Sequence, residues 1–205
     1  MDNLIKRILS SVILLPLVIY FILKGSFYLT FLIIICFLIS SFEWHKMIKK
    51  KTHKLLGFIF LILSFYTFYK LSIKYIIIIP LFICVFTDIG GYVFGKIFGG
   101  PKLTKISPNK TYAGTIGGFF LSLLFVLIYF NIFNHTLTVQ WFITAILVSL
   151  ISQIGDIIIS YFKRLSKLKN TGNIIPGHGG LLDRIDGMIF AIPTFYLINL
   201  TGLLI

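Results

Sequence analysis

Acidic residues and cysteines are the scarce side chains in this sequence. It has 6 Asp and Glu against 19 Lys and Arg, and only 2 cysteines. Because Cys36 and Cys84 lie far apart in apolar runs, we expect neither a disulfide framework nor a zinc site. The formal net charge of +13 is not accompanied by a soluble basic domain or a recognisable nucleic-acid module. We therefore expect no nucleic acid as a partner, and anionic lipid headgroups and phosphate ligands instead.

Polar surface is also scarce. Hydrophobic residues make up 58% of the 205 residues, charged residues make up 12%, and the mean hydropathy is +1.00. Too few polar side chains remain to cover a soluble globule, so lipid must be the solvent for most of the chain. The composition predicts an integral membrane protein, and the length predicts a single domain over residues 1–205.

Apolar runs long enough for membrane helices recur along the chain. Lys6 and Arg7 precede the first run as in a signal peptide, but no small-residue cleavage site follows, so we predict a retained helix. The sequence predicts an all-α, polytopic transmembrane bundle of about seven spans. Their predicted ranges are residues 8–23, 27–42, 55–69, 75–94, 112–130, 139–159 and 185–205.

The distribution of basic residues predicts the orientation of these spans. With a cytoplasmic N-terminus and an external C-terminus, sixteen of the 19 basic residues face the cytoplasm, and only Lys24, Lys70 and Lys74 face outward. Two long polar connections, residues 95–111 and 160–184, are then cytoplasmic. The basic stretch at residues 46–54 is interpreted as a topology anchor, and His45, His53 and His135 are not expected to be ligands.

Four of the six acidic residues lie in or at the ends of apolar runs: Asp88, Asp156, Asp183 and Asp186. A carboxylate there is costly to desolvate, so it indicates a functional site, although interhelical ion pairs and helix caps are the alternative. The other two, Asp2 and Glu43, are interpreted as residues at loop or terminal positions without a role.

Residue spacing groups several of these side chains. Ser152, Asp156, Ser160 and Lys163 recur at helical intervals and are expected on one helix face. Asp183 and Asp186 are expected to share a face of a helix that starts near Leu182. Clustered carboxylates suit Mg²⁺ with phosphate oxygens as further ligands, which predicts a metal site of Asp156, Asp183 and Asp186. A second, monovalent cation beside the Mg²⁺ is an alternative that residue spacing does not decide.

Glycine and basic residues around these acids favour phosphate binding. The PGHGG sequence at residues 176–180 lets backbone N–H groups approach an anion, directly before a predicted helix N-terminus. His178 is expected to contact a phosphate or carboxylate, the alternative being a loop histidine bonded to backbone. The other polar connection contains Lys105, Ser107, Asn109 and Lys110, which predict either a nucleotide-triphosphate cradle or a solvated basic loop.

The motifs SYFKR, PGHGG and LLDRID, in this order, resemble the signature of the phosphatidate cytidylyltransferase (CDP-diacylglycerol synthase) family. The resemblance extends to FTDIGGYVFGKIFGG, KISPNKTYAGTIGG and SQIGD, and thus covers most of residues 86–194. Two positions depart from the family pattern, with Ile159 and Asn170 standing where the family usually has acids. Because Asp156, Asp183 and Asp186 all remain, these two changes are interpreted as drift in a helix flank and a loop. The alternative is a degraded enzyme with weaker metal affinity or altered surroundings of the metal.

The resemblance implies a Mg²⁺-dependent enzyme of phospholipid synthesis in the bacterial inner membrane, with its active site facing the cytoplasm. It implies transfer of the cytidylyl group of CTP to phosphatidic acid, with scaffold helices in residues 1–85 and a catalytic region in residues 86–205. A related lipid kinase, a cytidylyltransferase for another lipid, and a cation or phosphate transporter are the alternatives, and a homodimer remains open. The implied catalytic residues are Lys163, Arg164, His178 and Asp183, and the implied substrate-binding residues are Asp88, Lys105, Ser107, Asn109, Lys110, Ser160, Gly179, Gly180 and Arg184.

Overall fold

The regular structure of the protein is helical. The computed structural model describes residues 12, 16–18, 20–21, 24–73, 76–134 and 136–202, and within these ranges β-structure is confined to two isolated bridges. The all-α prediction is therefore confirmed. The helices are α1 (Ser26–Met47), α2 (Lys51–Ile73), α3 (Ile78–Phe98), α4 (Tyr112–Ile132), α5 (Val139–Leu165), α6 (Leu182–Ile185) and α7 (Met188–Leu200).

The first five of these helices, α1 to α5, are each long and apolar enough to cross a membrane. The shorter α7 is also apolar, with 13 residues. These helices confirm an integral membrane helix bundle. Most of the predicted first span, residues 8–23, lies outside the described residues, so the total of seven spans stays a prediction. The orientation also stays a prediction.

Several predicted boundaries are wrong, including the end of the sixth span, because α5 continues past residue 159 to Leu165. The second span was expected to end at Phe42, but α1 continues to Met47 because Trp44 packs into the protein beyond the apolar run. The Trp44 side chain is buried, and its Nε1 donates a hydrogen bond to the Lys54 carbonyl at 3.3 Å. Its indole lies edge-on to the Phe162 ring at 5.0 Å. Residues 43–47, predicted as a loop, are therefore helical.

The seventh predicted span is also interrupted. Helix α6 begins at Leu182 as expected, but it ends at Ile185, and α7 begins only at Met188. Gly187 lies between them, and no larger residue fits there because an added Cβ would lie 2.4 Å from Ser152 Oγ. The expectation that Asp183 and Asp186 share one continuous helix is therefore wrong.

The chain forms two compact units, each made of discontinuous segments. The first unit contains Met1–Tyr75 and Phe162–Ile185, and the second contains Ile76–Tyr161 and Asp186–Ile205. Helices α1, α2 and α6 belong to the first unit, whereas α3, α4, α7 and most of α5 belong to the second. The single domain and its division at residue 85 remain predictions.

Glycines bring α3 and α4 into close contact in the second unit. An ideal Cβ on Gly90 of α3 would lie 2.2 Å from the Gly117 carbonyl oxygen of α4. In turn, a Cβ on Gly117 would lie 2.3 Å from Phe94 Cβ. Small residues stabilise membrane helix pairs in this way because the two backbones can approach closely.

Replacing Gly90 with Ala should therefore separate α3 from α4. We expect Gly90→Ala to destabilise the protein by about 1–3 kcal/mol, the usual cost of overpacking. Gly91→Ala is the matched control, because its Cβ would meet only the Gly114 carbonyl oxygen, at 3.8 Å. Thermal unfolding in detergent measures both variants, and equal midpoints would contradict the close contact at Gly90.

Candidate functional site

The polar segment, which we define as residues 160–186, contains a buried ion pair. Lys163, in the last turn of α5, places its Nζ 2.9 Å from Asp183 Oδ1. The two side chains are only 10% and 8% exposed, respectively. Buried charges require partners, so each of these residues depends on the other. Arg164, next to Lys163, is exposed, and its Nη1 donates to the Leu168 carbonyl at 3.2 Å.

The Asp183 carboxylate also binds two backbone amides. Its Oδ2 accepts hydrogen bonds from Thr171 N–H at 2.8 Å and from Gly180 N–H at 3.0 Å. Together with Lys163, these donors occupy both carboxylate oxygens. Asp183 therefore connects α5 to both ends of the glycine-rich loop, which we define as residues 171–181 and call the glycine loop.

A tight turn at residues 175–179 forms the tip of the glycine loop. Ile175 N–H donates to the Gly179 carbonyl at 2.9 Å, and Gly179 N–H donates back to the Ile175 carbonyl at 3.1 Å. Gly177 and Gly179 have φ angles of 76° and 91°, which only glycine adopts without strain. Arg184 donates from Nε, at 3.2 Å, and from Nη2 to the His178 carbonyl. The predicted sites His178 and Arg184 are thus in contact.

Glu43 is part of the same network, which corrects its interpretation as a loop residue without a role. It lies in α1 and is 1% exposed. Its Oε1 accepts from Leu181 N–H at 3.0 Å, while Oε2 accepts from Leu182 N–H at 2.8 Å and lies 3.1 Å from Thr171 Oγ1. Residue spacing does not reveal Glu43, because its partners are far away in sequence. The sequence feature that could have identified Glu43 is its position, since it is an acidic residue directly after an apolar run.

These contacts change the interpretation of the glycine loop as a phosphate site. The N–H groups of residues 178 and 179 donate to Ile175, and those of residues 180–182 donate to Asp183 or Glu43. The anions bound by this stretch of backbone are thus the protein's own carboxylates. The substrate-binding roles of Gly179 and Gly180 remain predictions, and both residues are buried.

The second unit contains the other predicted acidic site. Lys110 Nζ lies 2.6 Å from Asp156 Oδ2 and donates to the Gln153 carbonyl at 3.3 Å. Ser160 Oγ donates to Asp156 Oδ1 at 3.3 Å, one turn further along α5. The Asp156 side chain is 31% exposed, so its oxygens are more accessible than those of Asp183.

The connection between α3 and α4 contains the remaining predicted nucleotide-binding residues. A β-bridge between Lys102 and Thr111 closes it, and Thr111 Oγ1 caps α4 by accepting from Gly114 N–H at 3.1 Å. Three predicted residues lie in the closed loop and at least partly face solvent: Lys105, Ser107 and Asn109. They lie on the same loop as Lys110, which contacts Asp156.

Asp186 and Asp156 belong to the same unit. A Cβ added to Gly155 would lie 3.0 Å from the Asp186 carbonyl oxygen, so the α5 backbone beside Asp156 contacts the turn that contains Asp186. The Asp186 Oδ1 accepts from Gly187 N–H at 2.9 Å. Asp88 lies on an exposed position of α3, next to Thr87, whose Oγ1 is 2.8 Å from Ser149 Oγ.

The donor chemistry of the predicted metal ligands suits Mg²⁺, since all three are carboxylates. Within the described part of the chain, however, no group of three His, Cys, Asp or Glu side chains is arranged to hold a metal ion. Asp156 and Asp186 are candidate ligands because their unit brings their backbones together, and Asp156 would have to exchange Lys110 to bind a metal. Asp183 would have to exchange Lys163 or an amide to bind a metal.

Comparison with known proteins identifies the family. The profile of the cytidylyltransferase family matches residues 55–201. A phosphatidate cytidylyltransferase of Rickettsia typhi is 35% identical over 97% of this chain and 93% of its own length. The chain belongs to the cytidylyltransferase family. A Rickettsia bellii enzyme of the same name is 36% identical over 97% and 91%, and a Staphylococcus aureus one is 48% identical over 52% of this chain and 42% of its own length.

Both departures from the pattern of the cytidylyltransferase family can now be located. Ile159 is 2% exposed, so an apolar side chain fills that position of α5. Asn170 is exposed but lies beside Gly179, whose added Cβ would be 3.2 Å from Asn170 Cγ. Neither residue takes part in the hydrogen bonds of Glu43, Asp156 or Asp183 given above. The two carboxylate networks of this cytidylyltransferase are therefore formed without those acids.

Proposed function

We propose that this chain is a membrane enzyme that transfers the cytidylyl group of CTP to phosphatidic acid, giving CDP-diacylglycerol and pyrophosphate. The observation that carries the proposal is similarity over nearly the full length of relatives named phosphatidate cytidylyltransferase. The apolar helices support it, because a lipid substrate can keep its acyl chains in the bilayer while its headgroup reacts.

In the proposed reaction, a phosphate oxygen of phosphatidic acid attacks the α-phosphorus of CTP. The bond from that phosphorus to the oxygen bridging to the β-phosphate breaks, and pyrophosphate leaves with the bonding electrons. Since the attacking oxygen is already anionic, the protein needs to align two anions and offset their charge more than it needs a strong base. Arg164 and Lys105 are exposed cations suited to that task, and Lys110 is partly exposed.

The polar segment supplies the other proposed roles. Lys163 and His178 are proposed to contact phosphate groups together with Arg184, and Ser160 and Asn109 to orient the substrates. Lys163 and Arg184 also hold Asp183 and the His178 carbonyl, so they fix the shape of the site as well as its charge. Preformed charge of this kind stabilises a transition state without reorganisation during the reaction.

Mg²⁺ is the proposed cofactor. Asp156 and Asp186 would hold it, and Asp183 is a further proposed ligand if it exchanges one of its present partners. A bound Mg²⁺ would neutralise charge on the triphosphate and on the departing pyrophosphate. The proposed location is the bacterial inner membrane, with both polar connections facing the cytoplasm.

The test uses the full chain purified in detergent, with CTP, phosphatidic acid and MgCl₂. We expect CDP-diacylglycerol and pyrophosphate to form in equal amounts, measured by lipid chromatography and pyrophosphate release. Diacylglycerol in place of phosphatidic acid is the control substrate, because it lacks the attacking phosphate. Phosphorylation of diacylglycerol would instead indicate a lipid kinase, and no nucleotide turnover with either lipid would contradict the proposal.

A further inference from the structure

The most deeply buried acid in the two networks is Glu43, which the proposed reaction does not use. It is 1% exposed, and its carboxylate accepts backbone hydrogen bonds from Leu181 and Leu182, at the start of α6. The bond to Leu182 crosses 139 positions of sequence. An ionised carboxylate is buried only where several donors compensate for lost water, and this one has two amides and a hydroxyl.

The glycine loop is shaped around this carboxylate. A Cβ on Gly172 would lie 2.7 Å from Glu43 Oε1, and a Cβ on Gly180 would lie 2.6 Å from Oε2. Both contacts are too short for a real side chain, and the Gly180 Cβ would also lie 2.2 Å from Thr171 Oγ1, which itself contacts Glu43. Glycine is therefore needed at Gly172 because of Glu43, and at Gly180 because of Glu43 and Thr171 together. Neither residue has a positive φ angle, so space rather than backbone conformation imposes glycine at these two positions.

Glu43 and Asp183 both bind the two ends of the loop. Thr171 donates its N–H to Asp183 and its hydroxyl oxygen lies against Glu43. Gly180 donates its N–H to Asp183, and the next two amides donate to Glu43. Asp183 lies in α6, directly after the glycine loop in the sequence, whereas Glu43 lies in α1. Glu43 is therefore the contact that joins the loop to an N-terminal helix of the unit.

We infer that Glu43 is a positioning residue, which fixes the glycine loop and thereby His178, Asp183 and Arg184 for cytidylyl transfer. The kinetic part of this inference rests on the proposed function. Glu43 itself is enclosed by protein and does not touch substrate. Its effect is transmitted through the amides of residues 181–182 and through Thr171, which set where the loop begins and ends.

The test variant is Glu43→Gln, which preserves size but replaces one acceptor oxygen with a donor facing an N–H group. We expect the variant to remain folded and monodisperse in detergent. Hydrogen exchange at Leu181 and Leu182 should accelerate roughly ten- to a hundredfold, as when a hydrogen bond to a charged acceptor is lost. We expect kcat per folded enzyme to fall roughly ten- to a hundredfold because the site is misaligned, while KM for CTP changes much less.

Two further variants make the test specific. Ser40→Ala is the matched control: Ser40 is buried one turn earlier in α1, and its Oγ has no hydrogen-bond partner among the described residues. It should leave exchange and kcat as in wild type. Gly180→Ala disturbs the contact from the loop side and should reproduce both effects of Glu43→Gln. If Glu43→Gln does not fold, Gly180→Ala provides the same two measurements.

The outcomes separate this inference from the proposed function. Unchanged exchange in residues 171–182, or accelerated exchange with unchanged kcat, would overturn the positioning role. If the wild-type chain shows no cytidylyl transfer, the proposed function fails. In that case accelerated exchange in Glu43→Gln would still support Glu43 as the anchor of the loop, and unchanged exchange would overturn it.

Discussion

Asp156→Asn should lower cytidylyl transfer by about 100- to 1,000-fold, the loss typical of removing one charge-stabilising group from an active site. The substitution preserves the size of the side chain but removes its charge. Asp156 is a proposed Mg²⁺ ligand whose side chain is 31% exposed, and Ser160 Oγ donates a hydrogen bond to its carboxylate. Steady-state turnover at saturating CTP and phosphatidic acid measures the effect.

Lys110→Met is the comparison that isolates the metal role. Both substitutions break the Lys110–Asp156 ion pair, whose atoms are 2.6 Å apart. Only Asp156→Asn removes a proposed Mg²⁺ ligand. We expect MgCl₂ to raise the thermal unfolding midpoint of wild type and Lys110→Met but not of Asp156→Asn. An equal Mg²⁺ response in all three proteins would contradict Asp156 as a ligand.

The helices were predictable because the property that a membrane helix needs, a long apolar run, is visible in the sequence. A bilayer core demands long apolar runs, and α2 to α5 lie where those runs occur. The polar segment was predictable for a related reason. Carboxylates and lysines at the ends of apolar runs are costly to desolvate, so their presence indicates a functional site. The ends of helices were less predictable, because Trp44 extends α1 through a contact with Lys54 that hydropathy does not register.

The arrangement of the site depends on contacts that sequence spacing cannot reveal. Helical periodicity relates residues three or four positions apart, and it placed Ser160 beside Asp156. It gives no information about Glu43, whose partners follow 128 to 139 positions later. The glycines were interpreted as space for a substrate phosphate, yet the space at Gly172 is filled by the Glu43 carboxylate, and the space at Gly180 by that carboxylate and the Thr171 hydroxyl.

Lys163→Met should be the most destabilising substitution in the polar segment. It leaves the Asp183 carboxylate, 8% exposed, without its cation. Removing one partner of a buried ion pair typically costs about 3–5 kcal/mol, because the remaining charge is desolvated and uncompensated. Thermal or denaturant unfolding in detergent measures the loss. Lys169→Met is the matched control, since Lys169 is an exposed lysine of the same segment and should have little effect.

The double variant Lys163→Met with Asp183→Asn separates stability from chemistry. Removing both charges eliminates the uncompensated carboxylate, so the double variant should be more stable than Lys163→Met alone. The side-chain amide oxygen that Asp183→Asn introduces can still accept the Thr171 and Gly180 amides, which Asp183 binds through Oδ2 in the wild type. Activity should remain lost, because both residues are proposed to act in the transfer. Recovery of activity together with stability would show that the ion pair serves only to fold the segment.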